Sequence, residues 1–80
     1  MKTFDDEKYF EVFELLNSEV PYKSTNICIS VGVARGEKIT RYKLMKLLSN
    51  ESGHNISPKF ACMLYRKYVK LIDKLNSYNK

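Results

Sequence analysis

Hydrophobic and polar positions repeat at helical spacing over three stretches of this chain. The clearest runs from 58 to 77. At 100° per residue Phe60, Leu64, Leu71, Leu75 and Tyr78 share one side, widened by Ala61, Tyr65, Tyr68 and Ile72. Lys59, Arg66, Lys67, Lys70 and Lys74 share the other. Ser57 is placed to cap the first turn, and Pro58 suits the first helical position, where a missing N–H costs nothing. The segment spans roughly 30 Å at about 1.5 Å per residue, long enough to be the beam of a small domain.

A second amphipathic helix is expected from about 4 to 18. Thr3, with Asp6 three residues on, resembles a capping box, and Asp5, Asp6 and Glu7 suit the positive end of the helix dipole. Tyr9, Phe10, Val12, Phe13 and Leu16 form its apolar face, with Glu7, Glu11, Glu14 and Ser18 opposite. Pro21 ends the segment by biasing Val20 away from helical angles. A third helix is expected from Arg41 to Asn50, capped by Thr40 and striped by Leu44, Leu47 and Leu48, with Met45 at the edge. A polar connection follows from 50 to 55, in which Gly53 is the best candidate for a positive φ, and Ile56 packs inward.

Between the first two of these helices in chain order the pattern changes. Ile27, Ile29, Val31 and Val33 alternate with Cys28, Ser30 and Gly32, which reads as a half-buried strand. A turn at 34–37 and a short return over 38–40 would make a hairpin. The rival is a short helix capped by Ser24 or Thr25 and ended near Gly36; Gly32 and the β-branched run weigh against it. The expected fold is therefore mainly α, with α+β left open. It is one three-helix domain with a short strand or hairpin between helices 1 and 2. The last two helices form a loose helix-turn-helix-like pair that ends in the long C-terminal helix.

Charge adds an asymmetry to this pattern. Residues 1–20 hold six acids and two bases, a net −4, whereas 21–80 hold twelve bases and three acids, a net +9. A basic body favours a polyanionic partner, DNA first. The stripe Lys59, Arg66, Lys67, Lys70 and Lys74 can follow phosphates along one backbone. Arg35, Lys38, Lys43 and Lys46 add cations, and His54 and Asn55 are the nearby polar groups suited to base edges. An ordinary solvated face explains the same lysines, and an acidic protein partner would also fit them. Of the aromatics, Tyr22 and Tyr42 are the best candidates for exposure. The wide apolar side of the last helix suggests a homodimer, with Phe60, Leu64, Tyr68, Leu71 and Leu75 in the seam or in the core beneath it.

Chemistry is excluded at several points. Gly32, Gly36 and Lys38 lack the Lys-Ser/Thr pair of a phosphate-cradling loop. Cys28, Cys62 and His54 have no finger-like spacing, and nothing marks an orienting group for a Cys62–His54 nucleophile. Glu11 and Glu14 lie on a face expected to be exposed, without the burial that separates acid and base roles. Both cysteines are expected as free, buried thiols of a cytoplasmic protein, and His54 as a surface residue. No window approaches 18 apolar residues, so no membrane span is expected. The expectation is thus a non-enzymatic DNA-binding regulator without metal, cofactor or small-molecule substrate. The alternative is an adaptor or inhibitor that docks on a larger protein.

Overall fold

In a computed structural model, which describes residues 4–78, the chain forms four helices: α1 (Asp6–Glu19), α2 (Lys23–Ala34), α3 (Arg41–Ser52) and α4 (Pro58–Tyr78). The mainly α expectation holds. The strand over 27–33 does not: that segment is helical, and the residues 38–40 lie in the loop before α3 rather than in a return strand.

The reason lies on the buried side of α2. Thr25, Asn26, Ile29, Ser30 and Ala34 are buried, at helical spacing, while Ile27 and Cys28 are exposed. Three of the five inward residues are polar, so a hydrophobicity pattern misses the face. Tertiary partners satisfy Asn26 and a bond within α2 satisfies Ser30, whereas Thr25 Oγ1 is buried without a partner among the described residues. Asn26 Nδ2 donates to Val20 O (2.9 Å), Tyr68 OH donates to Asn26 Oδ1 (2.5 Å), and Ser30 Oγ donates to Asn26 O (2.7 Å). A buried polar group with a partner avoids most of the cost of leaving water. Cys28 is consequently an exposed thiol and Cys62 a half-buried one; both are free, but neither is fully buried as expected.

The helix ends follow local chemistry. Asp5 Oδ1 accepts from Lys8 N (3.0 Å) and caps α1, two residues later than the expected Thr3, which lies outside the described residues. Val20 is extended, as a residue before proline should be. Gly36 (φ 80°) closes α2: its N–H reaches Val33 O and that of Glu37 reaches Gly32 O, both at 2.9 Å, a Schellman termination. Thr40 Oγ1 caps α3 by accepting from Lys43 N (3.2 Å), and Gly53 ends it at φ 77°. Ser57 Oγ accepts from Phe60 N (3.2 Å) at the start of α4.

The core lies where the four helices meet. Val12, Leu16 and Val20 meet Ile29, Leu44, Leu48, Leu64, Tyr68 and Ile72, with Tyr22, Ile56, Phe60, Leu71 and Leu75 packed at its margin. The chain runs back on itself from α1 to α2, so that Asp5 N–H reaches Ala34 O (3.3 Å). The whole measures 36 × 24 × 19 Å, and α4 is its longest element at 21 residues. Leu64 (7% exposed) and Tyr68 (0%) are enclosed within the single chain, whereas Phe60, Leu71 and Leu75 are half-buried. The side chain of Tyr78 lies outside the described residues.

Candidate nucleic-acid interface

α4 presents its basic stripe outward. Lys59, Arg66, Lys67, Lys70 and Lys74 are all exposed, over a length of about 22 Å at about 1.5 Å per residue. Among the described residues none of the five has an ion-pair partner. The stripe has two interruptions. Asp73, exposed, stands at its C-terminal edge beside Lys74, and Met63, 58% exposed, stands in its midst, one turn from Lys59 and Lys67.

α3 contributes a cation, Arg41, that is not among the expected interface residues. Arg41 leans on α4: its Nη1 is 4.0 Å from Cys62 Sγ and its guanidinium lies over the Tyr65 ring, 6.0 Å from the centroid. Cys62 is one turn before Arg66, so Arg41 extends the basic face from α4 toward α3. A helical wheel of α3 alone gives no sign of this, because the contact is between helices. Lys46 and Tyr42 lie on the outer face of α3, with the ammonium 5.4 Å from the ring centroid. Tyr42 is 66% exposed, as expected; Tyr22 is half-buried instead, edge-on to Phe60 at 6.3 Å.

The remaining candidates separate into smaller groups. Lys43 Nζ is 3.7 Å from Glu37 Oε1, so its charge is partly answered within the chain. Arg35 follows α2, and Lys38 sits in the loop before α3, on the rim of a groove it shares with Lys8, Val33, Ile39, Val69 and Asn76. His54 and Asn55 are exposed in the five-residue connection between α3 and α4. His54 Nδ1 is 3.2 Å from Ser52 O, and Ser52 Oγ donates to His54 O at 3.1 Å. That connection is longer than the tight turn of a helix-turn-helix unit.

The outer side of α1 is acidic and aromatic. Asp6, Glu7 and Glu14 of α1 are exposed around Phe10, which is itself 59% exposed rather than turned inward as its apolar neighbours suggested. Tyr9 and Phe13 stack at 5.9 Å and 3°, and Phe10 lies edge-on to Tyr9 at 5.2 Å. Among the described residues no group of three or more His, Cys, Asp or Glu side chains is arranged to hold a metal ion, and no helix is long and apolar enough to cross a membrane.

No protein-family model, no curated protein and no solved structure matches this chain.

Proposed function

We propose that this chain is a non-enzymatic nucleic-acid-binding protein, a small DNA-binding regulator that acts by occupancy. The observation that carries the reading is the row of five exposed cations on the outer face of α4, none of them in an ion pair among the described residues, extended by Arg41. Phosphates along one strand would lie against Lys59, Arg66, Lys67, Lys70 and Lys74, with Lys46 and Arg41 alongside. Such contacts hold position and register and carry no sequence information by themselves. His54 and Asn55, next to the start of α4, are the groups offered to base edges.

Titration of duplex DNA at two salt concentrations tests this. Binding should weaken steeply with salt, by about 0.9 in log–log slope for each phosphate neutralised. No detectable binding to random or genomic duplexes at low salt would overturn the reading.

The second reading, an adaptor that docks on a larger protein, is favoured by the exposed Phe10 and Met63. Its mark would be a protein partner bound by the wild type and lost from Phe10→Ser, with DNA binding unchanged.

A further inference from the structure

Phe10 and Met63 are each a large apolar side chain standing outward in a ring of charge, and the two rings have opposite sign. Around Phe10, one helical turn away on the same face, are Asp6, Glu7 and Glu14, all exposed. Around Met63, one or two turns away, are Lys59, Arg66, Lys67 and Lys70, all exposed. We infer that the chain assembles head to tail with copies of itself, the Phe10 face of α1 in one copy seating on the Met63 face of α4 in the next.

Three physical arguments select a second copy as the occupant. The charges complement each other: three carboxylates meet four cations, and the apolar centres meet where those rings close. The centres suit one another, because a flexible thioether makes favourable contact with an aromatic edge at about 5 Å. Phe10 is already held against Tyr9, which stacks on Phe13 and lies 5.6 Å from Phe4, so little side-chain freedom remains to be lost on docking. Finally, the geometry of charge disfavours a symmetric pair through either face. Two α4 faces would set cation against cation, and two α1 faces acid against acid. Only unlike faces attract, and a contact between two different patches is heterologous: it closes into a ring or extends as a chain. This assembly does not depend on the polyanion reading, although it would cover the same α4 cations.

The test uses the full chain, freed of nucleic acid, in sedimentation velocity at about 0.01 M and about 1 M salt, where the screening length falls from about 30 Å to about 3 Å. The wild type should show species larger than 9.4 kDa that grow with concentration at low salt and revert to 9.4 kDa at high salt. Two variants then break one face each. Phe10→Lys loses the acidic-aromatic face and keeps the basic one; Met63→Glu does the reverse. Each alone should stay at the mass of one chain at low salt. Mixed in equal amounts, they should form a single 1:1 complex of twice that mass and nothing larger, because one intact contact remains and neither end can extend. Circular dichroism reports whether each variant is folded; if either is not, Glu14→Lys and Lys67→Glu carry the same test. A wild type that stays at 9.4 kDa at low salt overturns the inference. So does a discrete dimer that survives both variants, or a mixture that fails to combine.

Discussion

The Glu51 carboxylate near the end of α3 accepts a hydrogen bond from the backbone N–H of Thr25, at 2.7 Å, in the first turn of α2. The residue before that turn, Tyr22, supplies no side-chain cap of its own. One helix thus caps another, and the carboxylate also sits at the positive end of the α2 dipole.

Glu51→Ala should therefore destabilise the protein by about 1–2 kcal/mol, the usual cost of a lost N-cap. Glu51→Gln retains an acceptor oxygen and gives up the charge, so it should cost less, about 0.3–1 kcal/mol. Urea unfolding of the three proteins checks both the sign and the order. Equal stability of wild type and Glu51→Ala would mean that the contact contributes nothing.

Tyr68→Phe should cost about 1–3 kcal/mol, since Asn26 Oδ1 is left buried without its donor. The same residue sets an alkaline limit. Burial, and then the charges of Glu51 and Tyr22, push the Tyr68 hydroxyl well above the ordinary tyrosine value. Folded Tyr68 thus keeps a proton that unfolded Tyr68 releases above about pH 10. Its contribution is fully present below that pH and is lost as pH rises toward the folded value. Stability should fall with pH above about 10 more steeply in wild type than in Tyr68→Phe. Parallel pH profiles of the two would contradict the assignment.

Gly53→Ala tests backbone strain by itself. A Cβ at Gly53 meets nothing within 4 Å, so its cost should come from φ 77° alone, about 1 kcal/mol. Gly53→Asn should be milder, because Asn enters the left-handed region more readily. Thermal unfolding of the pair would show whether this order holds.

For polyanion binding, Lys67→Gln and Lys70→Gln should weaken affinity about equally across DNA sequences. Each should lower the salt slope by about 1 if it faces a phosphate. Lys43→Gln should change less, its ammonium already standing 3.7 Å from Glu37. Arg41→Gln should behave like the α4 variants. A larger loss from Lys43 than from Lys67 would move the interface to the other edge of α3.

Local sequence was sufficient for three of the four helices. The α4 pattern, the Ser57 and Thr40 caps and the left-handed Gly53 all stand within a few residues of what they govern, and each appears where expected. The basic stripe was legible for the same reason, since residues three and four apart on a helix share a face whatever surrounds it. Tertiary structure decided α2. Its inward Asn26 looks wrong for a core until Tyr68, 42 positions later, and Val20 supply partners, while Ser30 bonds back to Asn26 O within α2 itself. It also decided the outward turn of Phe10, the capping of α2 by Glu51 and the place of Arg41 against Cys62 and Tyr65. Periodicity reports how apolar a position is. It is blind to a hydrogen-bond partner on another helix, and that partner is what makes a polar residue acceptable inside.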